Sequence, residues 1–153
     1  FGFLGHGDTL SRTTPTLVAS LVEDGVYVKQ ATVGESHLTV LTTEGEVLTC
    51  GAGSYGRLGN FDSIDQLYLE PVELLTNVDM IAGGKSFTLA LQNNVVYGWG
   101  RNHKGQLGTG YGLSIDMYAM QAVPEPIESD EFAARNVIKI VAGHSVRLTK
   151  VSE

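Results

Sequence analysis

Val95-Val96-Tyr97-Gly98-Trp99-Gly100-Arg101-Asn102-His103-Lys104-Gly105-Gln106-Leu107-Gly108 is the stretch on which the fold reading turns. It opens as a short run of β-branched and aromatic residues, which suit a pleated, half-buried surface. Paired glycines then break the run, a polar turn follows, and the stretch closes on Gly-Gln-Leu-Gly. About fifty residues upstream the chain says nearly the same thing: Val47-Leu48-Thr49-Cys50-Gly51-Ala52-Gly53-Ser54-Tyr55-Gly56-Arg57-Leu58-Gly59. Its opening residues, Gly2-Phe3-Leu4-Gly5-His6-Gly7-Asp8, are the tail of a third copy. A fixed period of about 20 to 50 residues marks a repeat architecture, in which one unit cannot bury its own apolar face alone.

Working outward, the same grammar fills each unit. In the first, Glu23-Asp24-Gly25, Gly34-Glu35-Ser36 and Thr43-Glu44-Gly45 read as turns between candidate strands over 16–21, 26–33, 37–42 and 46–50. In the second, a polar loop over 60–66 leads to candidate strands over 71–75, 78–82, 87–91 and 95–99, with a hairpin at Asn93-Asn94. The third carries an insertion, roughly 109–121, before Pro124 and Pro126, then candidate strands over 137–141 and 146–149, and ends before a closing strand. Residues 133–136 admit a single turn of helix. Gly5, Gly7, Gly34, Gly51, Gly56, Gly59, Gly84, Gly100, Gly105, Gly108 and Gly143 fall in the recurring turns and are assigned a structural role there.

Four short strands per unit with no sustained helical period predict an all-β chain. Four-stranded units at this period predict blades of a β-propeller. The expectation is one repeat region over 1–153, with units at 2–55, 56–104 and 105–153. It forms about three four-stranded antiparallel blades of a partial propeller. Propellers close with about four to eight blades. The end blades are therefore expected to show apolar faces, covered by further blades of the same chain or by another subunit. The chain begins mid-motif at Phe1, which reads as a piece of something longer.

Composition agrees. An apolar fraction of 42% is enough for a core, and 19 glycines in 153 residues suit a turn-rich chain. The net charge of -7 opposes binding of phosphate backbones, so no direct nucleic-acid contact is expected from this segment. Cys50 is the lone cysteine and no Asn-x-Ser/Thr acceptor occurs, which points to an intracellular setting, cytoplasmic or nuclear. No apolar run reaches the length of a membrane span.

Three patterns invite a sharper chemistry and lose on context. Gly51-Ala52-Gly53-Ser54-Tyr55-Gly56 fits a dinucleotide fingerprint, but that motif needs a helix opening on it, and Arg57-Leu58-Gly59-Asn60 starts none. Gly83-Gly84-Lys85-Ser86 resembles the end of a phosphate loop, yet Asp79 stands where the earlier glycine belongs. His6, His37, His103 and His144 follow no metal-ligand spacing, and the expected role of His37 is a side-chain hydrogen bond that ties a turn. No catalytic residue, metal site or cofactor site is assigned.

The repeated words resemble the regulator of chromosome condensation repeat. The resemblance is carried by Gly105-Gln106-Leu107-Gly108-Thr109-Gly110, Pro71-Val72, Gly34-Glu35-Ser36-His37 and Val96-Tyr97-Gly98-Trp99-Gly100. It covers nearly the whole chain and implies a seven-bladed propeller, of which this chain supplies part. The family's strand-start histidine is Phe87 in the second copy and Val146 in the third, and Cys50 replaces its tryptophan once, as in a divergent member. The founding member promotes nucleotide exchange on the small GTPase Ran. Relatives serve as recognition modules, and a plant ultraviolet receptor relies on clustered tryptophans, against the single Trp99 here.

The function expected is a non-catalytic protein–protein interaction or scaffold module. The alternatives are a guanine-nucleotide exchange factor for a Ran-like GTPase and a structural subunit of a large assembly. Two segments are candidate contacts with a protein partner. One is the insertion, with Tyr111, Asp116, Met117 and Tyr118, since tyrosine and methionine are enriched in interface cores. The other is the acidic run Glu125, Glu128, Asp130 and Glu131, with Glu128 and Asp130 suited to a basic partner surface.

Overall fold

The computed structural model describes residues 1–109, 120–145 and 147–152. Two four-stranded antiparallel sheets and a two-stranded third sheet stand side by side. The first holds β1 (Val28–Val33), β2 (His37–Thr42), β3 (Val47–Gly51) and β4 (Gln66–Pro71) in that order. The second holds β5 (Val78–Gly83), β6 (Phe87–Gln92), β7 (Val95–Arg101) and β8 (Met120–Pro126). The third pairs β9 (Val137–Ala142) with β10 (Arg147–Val151). Two five-residue helices, α1 (Ala19–Glu23) and α2 (Asp130–Ala134), and a 3-10 turn, Ser54–Gly56, complete the described elements. The all-β partial propeller expected from the repeats is the observed architecture.

The repeat is visible in backbone detail. The first strand of each sheet carries an irregularity at the same place, between Val28 and Gln30, between Val78 and Met80, and opposite the step from Lys150 to Val151. Each glycine turn is closed by the same bond, Gly5 N–H to Gly2 C=O, Gly59 to Gly56 and Gly108 to Gly105, at 3.0, 3.1 and 2.9 Å. The first and fourth glycines of each turn have φ between 65° and 75°, a region a Cβ disfavours.

Two strands differ from the sequence expectation. The stretch 16–21 is not a strand; its second half enters α1, which buries none of its residues. In the second unit the strand lies before Pro71, as β4, and not after it over 71–75. Pro71 and Pro126 both end the outermost strand of their sheet, at equivalent register opposite Leu48–Thr49 and Tyr97–Gly98. Proline lacks an N–H for a further ladder, so it fits an edge and stops it. The chain then turns through Val72, whose N–H bonds Val47 C=O at 2.8 Å. Each four-stranded sheet thus takes its fourth strand from beyond the next glycine turn.

The core lies between sheets. Leu41, Val47, Val72 and Leu75 of the first meet Val78, Ile81, Ala90 and Trp99 of the second. On the other face of the second sheet, Phe87, Leu89, Leu91, Val96 and Ile127 meet Val137 and Ile140 of the third, with Leu107 among them. β6 is therefore buried on both faces, which is why Phe87-Thr88-Leu89-Ala90-Leu91 reads as a continuous run.

Polar bonds add to the first junction. The Gln30 side chain donates to Ile81 C=O at 2.7 Å and accepts from Ile81 N–H at 3.0 Å, while Thr32 Oγ1 accepts from Gly83 N–H at 2.9 Å. The buried Trp99 indole donates to Arg57 C=O at 3.1 Å, and Thr49 donates to Leu58 C=O at 2.8 Å, so the Gly56–Gly59 turn is held from both sides.

Candidate partner-binding surface

The strand ends sort the loops into two sets. The turns 34–36, 84–86 and 143–145 connect the first two strands of each sheet and meet at one end of the stack. Val33, Gly34, Glu35, Gly83, Gly84, Lys85, Gly143 and His144 line a shallow bowl of about 430 Å³ there. Glu35, Lys85 and His144 occupy the same slot of the repeat, Gly-x-Ser, and differ in charge. In the first two units the glycine beside the slot is constrained by packing. A Cβ on Gly34 would run into the His37 ring and one on Gly84 into the Phe87 ring. Phe87 thus fills the space that His37 fills one sheet earlier.

His37 joins sheets. Its Nε2 lies 3.1 Å from Thr88 Oγ1 of the neighbouring sheet, and Thr39 Oγ1 lies 3.5 Å from the same oxygen. The expected tie is therefore present, but it spans two sheets instead of closing its own turn. Burial, with a smaller contribution from the Arg57 charge, pulls the His37 pKa down to about 4, so the ring is neutral at neutral pH. The rim is braced by the Glu35 N–H donating to Lys85 C=O at 2.9 Å and by a Lys85–Glu35 ion pair at 3.1 Å.

Beside the bowl, Lys85, Ser86, Arg101, His103, Lys104, Gln106, His144 and Ser145 line a smaller cleft of about 120 Å³. Arg101 stacks on Tyr55, its guanidinium carbon 4.4 Å from the ring centre, and Arg57 approaches the same ring at 5.6 Å. Tyr55 holds a positive φ of 63° in a 3-10 turn, Ser54–Gly56. That three-residue turn lies within the Gly51–Gly56 run and no α-helix opens after it, and strand β6 follows Ser86 directly. Desolvation first, then the charges of Arg101 and Lys104, hold His103 below its ordinary pKa.

The opposite end is built from the hairpins 43–46 and 93–94 and the connections 72–77 and 127–136. Here Glu44, Glu46, Glu73, Glu128 and Asp130 are exposed. Glu128 and Asp130 flank a cleft of about 570 Å³ that also takes in Asn93, Asn94, Tyr97, Pro126 and Phe132. Tyr111, Asp116, Met117 and Tyr118 lie outside the described residues. The sequence assigns Lys85, Arg101 and Lys104 no partner-binding role. A variable slot between invariant Gly and Ser, at the same place in each unit, was the available signal for Lys85 and His144. Arg101 reaches Lys85 through the pairing of β6 with β7, its N–H donating to Ser86 C=O at 2.9 Å, and the packing of the third sheet brings His144 to them. Among the described residues, no three His, Cys, Asp or Glu side chains converge as a metal site, and no helix is long and apolar enough to cross a membrane.

Sheets stacked through inner strands, with a glycine turn wedged at each junction, define a β-propeller repeat protein. The chain matches the Regulator of chromosome condensation (RCC1) repeat over residues 44–91 and 93–146, and it belongs to that family. It is 36% identical over 152 residues to the inhibitor of Bruton tyrosine kinase of Mus musculus, covering 96% of this chain and 11% of that protein. It is 35% identical over 113 residues to the ultraviolet-B receptor UVR8 of Arabidopsis thaliana, covering 72% of this chain and 25% of the receptor. The chain thus spans only a small part of the relatives it matches. In fold it resembles Prp20p of Saccharomyces cerevisiae, with a TM-score of 0.75 at 19% identity over 85% of this chain and 32% of that one. It also resembles human WBSCR16, with a TM-score of 0.66 at 24% identity over 82% of this chain and 31% of that one.

Proposed function

We propose that the chain is a non-catalytic interaction module, which presents end loops on a rigid stack of blades to a protein partner inside the cell. The observation that carries this reading is the Gly-x-Ser slot. Gly34 and Gly84 beside it are constrained by ring packing, while Glu35, Lys85 and His144 vary at the rim. A scaffold held by buried inter-sheet bonds and topped by side chains of differing charge is suited to recognition. At the other end, Glu128 and Asp130 beside the larger cleft suit a basic protein surface. The insertion with Tyr111, Asp116, Met117 and Tyr118 is a further contact segment in this reading. Further blades, from the same chain or another subunit, complete the ring, seven in number by family resemblance.

Nucleotide exchange on a small GTPase is the second reading. It is supported by likeness to Prp20p, a protein described for its binding to Gsp1p and histones, and a shared fold does not transfer an activity. Co-purification of the full chain from cells followed by mass determination, beside an exchange assay over a panel of small GTPases, separates the readings. A stoichiometric partner with no faster nucleotide release is expected. Robust acceleration of release overturns the first reading in favour of the second. A chain recovered without any partner speaks against an interaction module and a structural subunit alike.

A further inference from the structure

The chain is acidic, yet its cations are not spread evenly. Lys85, Arg101 and Lys104 gather in the two adjoining clefts at the Gly-x-Ser end, with His103 and His144 between them. Among the described residues, Glu35 is the one carboxylate lining either cleft. Among the described residues Arg101 and Lys104 pair with no carboxylate, since the two ion pairs present are Arg12–Asp8 and Lys85–Glu35. The Nε of Arg101 and the Nδ1 of His103 are buried without a hydrogen-bond partner. Arg101 is pre-positioned by its stack on Tyr55, so little side-chain freedom is lost on binding. A net positive rim on a molecule of net charge -7 is a polarised surface, and Glu44, Glu46, Glu73, Glu128 and Asp130 are exposed at the far end.

We propose that the rim formed by Lys85, Arg101, Lys104 and His144 docks an acidic protein segment, a loop or tail rich in aspartate and glutamate. This deepens the interaction-module reading and rests on it. The Lys85–Glu35 pair at 3.1 Å is an internal precedent, in which a carboxylate of the chain itself already sits on this rim. A glutamate or aspartate side chain fits a cleft of about 120 Å³, and the neighbouring bowl gives the backbone on either side a place to lie. A nucleic acid fits less well. Its charge recurs along a long line, and beyond the rim it would meet the repulsion of an acidic domain.

The test is fluorescence anisotropy on the full chain with a labelled glutamate-rich peptide, against the same peptide carrying glutamine in place of glutamate. Binding is expected for the acidic peptide alone, weakening as salt rises because the contacts are exposed. Lys104→Gln together with Arg101→Gln is expected to weaken it roughly tenfold, as two surface charge contacts would. Lys29→Gln with Lys139→Gln removes the same charge elsewhere and is expected to leave binding unchanged. Lys104→Glu alone, at an exposed position away from the Tyr55 stack, is expected to weaken the acidic peptide and to admit a lysine-rich one, which guards against a folding defect in the double variant. Equal loss from both double variants, or no loss from either, overturns the proposal. Tighter binding of a single-stranded oligonucleotide than of the peptide at the same salt also overturns it. A partner that still co-purifies while the peptide fails leaves the interaction module standing without this surface.

Discussion

His37 and Phe87 occupy the same slot one sheet apart, and the comparison isolates what a histidine contributes there. Both rings lie over a glycine, but only His37 reaches a hydroxyl on the next sheet, 3.1 Å away. The ring is fully buried and holds its pKa near 4, below the unfolded value of about 6.5. As pH falls below about 6.5 the unfolded chain takes up a proton that the folded chain refuses. Stability contributed by this site is therefore complete above that pH and is lost as pH falls towards about 4, by about 3 kcal/mol. Urea denaturation across that window measures the slope. His37→Phe, the substitution the second unit already contains, is expected to flatten it, and an unchanged slope would show that another group titrates. The sequence made His37 stand out as a tie; that its partner is Thr88, about fifty residues on, was not legible, because the bond exists only when two sheets are stacked.

At the scale of the element, hairpins and junctions do the work. Asn93 and Asn94 both hold positive φ, 48° and 66°, as a two-residue hairpin requires, so the asparagine pair was a readable turn signal. Its second use was not readable. Asn94 Oδ1 accepts from Val137 N–H at 2.6 Å, and its Nδ2 donates to Arg135 C=O at 3.2 Å, tying the β6–β7 hairpin to the start of β9. In the preceding unit a backbone group has this role, Gly45 C=O accepting from Val78 N–H at 2.9 Å. Asn94→Gly is expected to keep the turn and lose the tie, costing about 1 to 2 kcal/mol. Asn94→Ala adds backbone strain and is expected to cost more. Chemical denaturation of the pair checks the order; equal stability of the glycine variant and the parent would remove the tie from the account. The misplaced strand beside Pro71 belongs to this scale too. Gln66-Leu67-Tyr68-Leu69-Glu70 lies among polar residues and does not alternate, so its pairing with β3 depends on the sheet edge that receives it.

For the whole molecule, the decisive feature is that apolar surface is buried between sheets, so the outer sheets keep one face open. Leu58 and Leu107 are fully buried where their turns sit between sheets, while the equivalent Leu4 is 38% exposed. Phe1, Phe3, Leu10, Tyr27, Val33 and Tyr68 are exposed on the first sheet or the segments leading into it. Exposed apolar groups in this number favour association or a covering neighbour. The 153-residue chain on its own is expected to bind an apolar dye such as ANS and to self-associate, and flanking repeats are expected to suppress both. Dye fluorescence and sedimentation velocity read the outcome; a clean monomer that ignores the dye would show that the faces are self-sufficient.

By itself the sequence determined the class of fold, the period, most strands and the turn glycines, because these follow from local conformational preference and from a pattern repeated along the chain. Only the tertiary structure decided which strand closes each sheet, which residues join neighbouring sheets, and that Lys85, Arg101, Lys104 and His144 share one rim. Those are relations between residues far apart in the chain, and they come into being when stacked sheets exclude water from the surface between them.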